Sequence, residues 1–303
     1  SEYLEKKGKE EAFRLSNIFI TMIVLVTCMM TVLGIVFAEP ICWLFADGME
    51  TETAKICIKF SRILFPTIIF TGAAFSFVGI LQSLEEFTIP AAMSIVSNAI
   101  IILYYLFLND TFGIEGLTIA FLIGWLMQAV IQVPALHKKG YHYRFNFHFK
   151  EEGMKKIVLL MLPVMVSTWI QPINFVINTK FASHIRFPGY PEAAISTIDY
   201  ANTLYTIIVG VLVLSISNVI FPKMSRMTSN HAEKDFGETI CITLRSMLFL
   251  LIPMMLGLMV LSEPFLKLMY ERGNFDSFAT QTTARALFFF SLGMVGFGIQ
   301  NIL

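Results

Sequence analysis

The 303 residues are 56% hydrophobic and 15% charged, with a mean hydropathy of +0.70. A soluble domain is roughly a quarter charged, so a soluble globular architecture is excluded. With 22 basic residues against 22 acidic ones, there is also no surplus of positive charge for a nucleic-acid partner.

The apolar residues are clustered in blocks of the length a helix needs to cross a bilayer core of about 30 Å. Backbone amides in lipid must be hydrogen-bonded within their own segment, so these blocks predict helices. They lack the apolar–polar alternation of barrel strands. Eight spans are expected: A (15–38), B (60–81), C (87–108), D (114–134), E (157–181), F (194–221), G (240–261) and H (284–303). The fold class is therefore all-α, a polytopic helical bundle. Pro66, Pro90, Pro163, Pro172 and Pro253 fall within spans, where a missing amide donor tends to kink a helix.

Alternate connections should lie on opposite sides. One side carries Lys6, Lys7, Lys9 and Arg14, then Lys138, Lys139, Arg144, Lys150, Lys155 and Lys156, then Lys223, Arg226 and Lys234. The other carries Lys55, Lys59, Arg186, Lys267 and Arg272. This bias predicts a cytoplasmic start for the segment. Residues 1–14 form a charged run without a signal-peptide core, the chain opens on Ser1, and H stops at its last turn. An excerpt of a longer polypeptide is expected.

An internal repeat points the same way. Gly34 and Glu39-Pro40 at the end of A match Gly257 and Glu263-Pro264 at the end of G. Arg62-Ile63-Leu64-Phe65 at the start of B matches Arg285-Ala286-Leu287-Phe288 at the start of H. The offset spans six helices, and an even number keeps both copies in one orientation. The expected organisation is residues 1–136 as most of an N-terminal lobe, 137–156 as a basic cytoplasmic linker, and 157–303 as the first part of a C-terminal lobe. In the linker, Tyr143, Phe145, Phe147 and Phe149 alternate with His142, Arg144, Asn146, His148 and Lys150. That pattern suits an interfacial anchor, with rings at headgroup level and cations toward anionic lipid.

Polar residues at membrane depth are costly and mark candidate sites. Ser167, Gln171 and Asn178 on E share one helical face, with Asn202 on F, and should face the bundle interior. Lys180 and Asp199 lie near the same level of E and F, where a structural ion pair and a transport role account for them equally well; Thr203 follows. Arg62, Arg245 and Arg285 near span ends can snorkel to the interface. His137, His142, His148, His184 and His231 all fall in connections without metal-ligand spacing, and no phosphate-binding loop or dinucleotide fingerprint occurs. An enzyme is not expected. Cys42 and Cys57 flank one connection, where a disulfide is possible but separate thiols fit better.

The run from Phe65-Pro66 through Gly79-Ile80-Leu81-Gln82, then Phe87-Thr88-Ile89-Pro90-Ala91 and Asn98, resembles the fourth and fifth helices of the MurJ/MviN family of lipid II flippases. That family sits in the multidrug/oligosaccharidyl-lipid/polysaccharide exporter superfamily. Residues 171–183, Tyr200-Ala201-Asn202, Ile220-Phe221-Pro222-Lys223-Met224-Ser225 and Gly273-Asn274-Phe275 are similar as well. The resemblance implies fourteen helices, with A to H as the third to tenth. It further implies two six-helix lobes around a cationic cavity, and alternating access carrying lipid-linked disaccharide-pentapeptide between leaflets of the bacterial plasma membrane. The implied partners are a lipid-linked oligosaccharide diphosphate and membrane lipids, with a monomeric transporter. No cofactor is implied beyond coupling to Na+ or the membrane potential.

Two departures bear on the site. Relatives carry Arg where Thr203 follows Tyr200-Ala201-Asn202, and some carry an acidic residue at a sodium site where Asn178 stands; Lys180 could supply a displaced positive charge. A polysaccharide-precursor or multidrug exporter, and an enzyme acting on polyprenyl phosphates, are the alternatives. Glu50 and Glu52, in a short polar turn, make a poor catalytic pair for the last.

Overall fold

A computed structural model describes residues 4, 7–187, 190, 193–229 and 233–302; the side chains of 167, 212, 214–229, 233–236, 238 and 301–302 lie outside the described set. The described residues are almost entirely helical. In chain order the helices are α1 (Lys9–Val36), α2 (Ala38–Ala46), α3 (Thr51–Leu64), α4 (Thr67–Ser83), α5 (Thr88–Phe107), α6 (Asn109–Val130) and α7 (Val133–Lys138). There follow α8 (Glu152–Thr168), α9 (Ile170–Ser183), α10 (Ala193–Ser229), α11 (Glu233–Tyr270), α12 (Ser277–Leu292) and α13 (Met294–Ile302).

Among the described residues six helical stretches are long and apolar enough to span a membrane: Lys9–Val36, Thr51–Ser83, Thr88–Phe107, Asn109–Lys138, Glu152–Ser183 and Thr239–Tyr270. Ser277–Leu292 and Met294–Gln300, bent by 42°, make a seventh if taken as one. Expected span F falls on α10, whose second half has its side chains outside the described residues. Phe107 is 75% and Leu106 69% exposed, surface that water would not tolerate over whole helices and that lipid covers without cost. The chain is thus a multi-pass membrane protein.

The prolines act according to their depth within each helix. Pro66 separates α3 from α4, and Pro172 follows the interruption at Trp169 that divides span E into α8 and α9. Pro172 has no amide to offer the carbonyl of Thr168, so the hydrogen-bond ladder is cut there. Pro90 departs from expectation. It occupies the first turn of α5, where no donor is required, and kinks nothing. Pro163 and Pro253 sit inside uninterrupted helices. The two repeat words also diverge: Phe37 breaks the helix ahead of Pro40, whereas α11 runs through Pro264.

By compactness the chain divides into Ser1–Ile177 and Asn178–Leu303, the boundary falling within α9. In the first unit α1, α4, α5 and α6 pack together, with α8 against α1. One end is tied by Arg14 to Glu151 at 3.0 Å and by Lys139 to the carbonyl of Leu84 at 3.3 Å. This gathers the start of α1, the α4–α5 turn and the segment after α7 together. At the other end Lys59 meets Glu115. Connections therefore alternate between ends, as successive spans require. The α4–α5 turn closes on Glu85 in the left-handed region (φ 61°), and at Gly113 (φ 54°) the backbone leaves the helical region at the start of α6. The Tyr104 hydroxyl donates to the Gly113 carbonyl at 2.6 Å, occupying an acceptor that the irregular turn leaves open.

The second unit is built on α10, α11, α12 and α13. Its core holds Ala201, Leu204, Val209 and Val213 against Met247, Leu251 and Leu258 of α11, Leu287 of α12 and Met294 of α13.

Candidate functional site

The core of the second unit fixes which way α10 faces. Ala194, Thr197, Ala201 and Leu204 are its buried positions at this end. At 100° per residue, Asp199 and Thr203 are each turned about 160° from Ala201. Both are exposed, as is Thr206 one turn on, while Asn202 is half-buried on the flank. Asp199, Thr203 and Thr206 thus form a polar stripe on the side of α10 that its own core leaves uncovered. Thr206 was not singled out in the sequence, although its i+3 spacing from Thr203 is the signal that finds it.

On α9, Gln171, Asn174 and Asn178 fall within about 60° of one another. Gln171 and Asn174 are exposed and Asn178 is half-buried. Asn174 is a second residue that sequence reasoning passed over. Ser167 lies on α8, before the break at Trp169, and its side chain is outside the described residues. A stripe drawn straight from 167 to 178 assumed one continuous helix, which the interruption removes. Lys180 is half-buried in the last turn of α9, where a cation is favoured by the helix dipole. Asp199 lies within electrostatic range of the Tyr270 phenol, beside a cluster in which the Tyr200, Tyr270 and Phe275 rings meet tilted and edge-on. The structure thus brings Asp199, Asn202 and Thr203 onto one helix segment. Gln171 belongs to the first compact unit, and Asn178 and Lys180 to the second.

The loop end of the second unit is held by Asp276. One carboxylate oxygen accepts the Ala279 amide at 2.9 Å, capping α12, and the other accepts the Tyr190 hydroxyl at 2.6 Å. The Tyr190 hydroxyl and the Ala279 amide hold the Asp276 carboxyl below its ordinary range, and the same bond pushes the Tyr190 phenol up. Phe278 lies between Phe187 and Tyr190, with ring centroids at 5.4 and 4.9 Å.

The arginines at span ends are exposed. Arg62 ends α3, and Arg245 faces outward on α11. Arg285 lines a cavity of about 240 Å³ with Glu263, Ser262, Gln281, Phe288 and Phe289, so the two repeat words of the second unit meet in one place. Cys42 and Cys57 carry free thiols 3.5 Å apart. A buried polar network also went unnoticed in the sequence: Gln128 Nε2 donates to Ser97 Oγ at 2.8 Å, and Gln132 Nε2 donates to the Gln128 and Ala74 carbonyls. It joins α4 and α5 to the end of α6 and to Gln132 in the α6–α7 link, with the two glutamines at i and i+4. Among the described residues no group of three or more His, Cys, Asp or Glu is placed to hold a metal ion.

A polytopic helical bundle, with a polar stripe on α10 that the core of its own unit leaves uncovered, defines a multi-pass membrane protein. The chain belongs to the lipid II flippase MurJ family, whose model matches residues 1–303. It is 29% identical over 308 residues to a probable lipid II flippase MurJ of Buchnera aphidicola subsp. Schizaphis graminum, covering 100% of this chain and 59% of that protein. It is 29% identical to the corresponding protein of Vibrio cholerae, covering 93% of this chain and 55% of that one. A solved structure of a lipid II flippase MurJ in an inward closed conformation superposes with a TM-score of 0.80 at 29% identity, over 98% of this chain and 61% of the other. A Vibrio cholerae MATE transporter shares the fold alone, at 14% identity and a TM-score of 0.64. The chain spans less than two thirds of the length of these curated relatives.

Proposed function

We propose that this chain is the central part of an alternating-access flippase that moves lipid II from the cytoplasmic to the outer leaflet of a bacterial plasma membrane. The observation that carries the reading is family membership along the entire chain, joined to a polar stripe on α10 that its own core does not cover. In a bilayer such a stripe requires water or a polar ligand. A diphosphate–sugar head needs polar groups and cations in a wet cavity, while a tail of tens of carbons stays in lipid.

In this reading Asp199, Asn202 and Thr203 line the head-group path from α10. Ser167, Gln171 and Asn178 do so from α8 and α9, with Asn178 also a candidate ion site and Lys180 supplying positive charge. Residues 1–136 and 157–303 belong to two lobes joined by the basic segment 137–156. The start of α1 faces the cytoplasm, because the end gathered by Arg14, Lys139 and Glu151 carries the denser set of Lys and Arg. The protein catalyses no covalent step and works as a monomer, driven by Na+ or the membrane potential.

The test is depletion of the full-length protein in a strain without a redundant flippase, followed by a leaflet-accessibility assay for lipid II. Externally accessible lipid II should fall and cytoplasmic-leaflet lipid II accumulate. Unchanged accessibility would refute the assignment. Restoration by the wild type, but not by Asp199→Leu expressed at equal level, would tie the stripe to the transport.

A further inference from the structure

The segment after α7 carries a second arrangement that transport of a lipid-linked sugar does not use. Tyr143, Phe145, Phe147 and Phe149 stand in one row, with successive ring centroids at 5.2, 6.5 and 6.1 Å. The row is pinned to α1. The Tyr141 hydroxyl and the Arg144 amide both donate to Asn17 Oδ1, at 2.6 and 3.3 Å, and the Asn146 amide donates to Thr21 Oγ1 at 3.3 Å. Yet Phe145 and Phe147 are 70% and 62% exposed.

Phe149 turns inward against Leu15, Ile18 and Met154. Two cavities share it. One, of about 690 Å³, is lined by Arg14, Phe147, Phe149 and Lys150 among others. The other, of about 280 Å³, is lined by Met22, Met154, Val158, Leu159 and Leu162 together with Lys155. An exposed aromatic row therefore leads into an apolar groove between α1 and α8. Arg14 is already committed to Glu11 and Glu151, at 2.9 and 3.0 Å. Arg144, Lys150 and Lys155 are exposed and, among the described residues, have no carboxylate within ion-pair distance.

We propose that this groove is a binding site for an anionic diacyl phospholipid. Its phosphate is held between Lys150 and Lys155, which border the two cavities that share Phe149, with Arg144 further along the row adding to the positive field. One acyl chain lies in the groove beyond Phe149, while Phe145 and Phe147 rest against the surrounding lipid. A zwitterionic lipid would fill the apolar part equally well but leave three cations uncompensated; an anionic head neutralises them. A soluble anion would reach the cations but leave the rings in water. All of these residues belong to the first unit, and the site requires neither a transported substrate nor a choice of leaflet.

The experiment uses the full-length protein, with Phe147→Trp in a background whose other tryptophans are Phe. It is reconstituted in vesicles containing phosphatidylglycerol or phosphatidylcholine with brominated acyl chains at equal mole fraction. The Trp emission should be blue-shifted and quenched about threefold more strongly by brominated phosphatidylglycerol. That preference should vanish at about 0.5 M salt, where charges are screened within a few ångströms. It should also vanish in R144Q/K150Q/K155Q, and the salt arm stands by itself if this variant does not fold. Equal quenching by the two lipids at low salt overturns the proposal, as does water-like emission quenched by neither. Protection from both that grows with the protein-to-lipid ratio would give the groove to a second copy of the chain and equally overturn it.

Discussion

Asn17 and Tyr141 offer a sharp test of how the segment after α7 is held. Tyr141 is 1% exposed, packs edge-on against Phe13 with ring centroids at 5.2 Å, and donates its hydroxyl to Asn17 Oδ1 at 2.6 Å. Burial pushes its phenol well above the ordinary range, so it remains a donor at any working pH. Asn17→Leu keeps the bulk but strands this hydroxyl, at a cost of about 2 kcal/mol for an unmet buried donor, with a few tenths more for the Arg144 amide, which water can reach. Tyr141→Phe removes the donor and leaves Asn17 Oδ1 one partner short, without stranding a buried hydroxyl. Asn17 is half-buried and still accepts the Arg144 amide, so the loss is about 1 kcal/mol. The double variant should lose less than the sum, because no stranded hydroxyl remains. At fixed heating rate, the thermal midpoint of the purified full-length protein should fall by about 4 °C for Asn17→Leu and about half that for Tyr141→Phe. Strict additivity, or Asn17→Leu no worse than Tyr141→Phe, would refute this account of the contact.

Three further outcomes are expected. Asp276 has a depressed pKa in the folded protein, so the stability it contributes is present above the ordinary carboxylate range and lost as pH falls through its folded pKa. Asp276→Asn should therefore flatten the acid limb of a midpoint-against-pH curve, and an unchanged limb would contradict the Tyr190 and Ala279 bonds. Single cysteines at 199 and 203, in a background without native cysteines, should react with a membrane-impermeant maleimide while one at buried position 204 does not; equal reactivity at all three would sink the polar stripe. A Cβ at Gly34 would run into the Phe65 ring, so Gly34→Ala should destabilise by about 1–3 kcal/mol despite its better helix propensity. Phe65→Leu should recover part of that loss, measured by thermal midpoints of single and double variants.

The apolar blocks were legible because lipid imposes one rule on every residue of a span. Among the described residues six of the eight expected spans coincide with helical stretches long and apolar enough to cross a membrane, and span H makes a seventh where its bent pair of helices is taken as one. What composition does not encode is where a helix breaks. Pro90 and Pro172 are the same residue type and both fall inside an apolar block, yet one sits where no amide is needed and the other just beyond an interruption. Periodicity places Asp199 and Thr203 on one face, but which face is covered depends on Leu287, Leu251 and Met294, far away in sequence. For the same reason the Gln128–Ser97 and Gln132–Ala74 bonds escaped notice, since nothing near Gln128 announces a partner 31 residues earlier.

The bonds from Asn17 and Thr21 have a mechanical consequence. A segment without helix or strand of its own has no internal bonds to keep its shape. Bolted to α1 at Asn17 and Thr21, one turn apart, it becomes the foot of that helix, so Phe145 and Phe147 travel with α1 when it tilts.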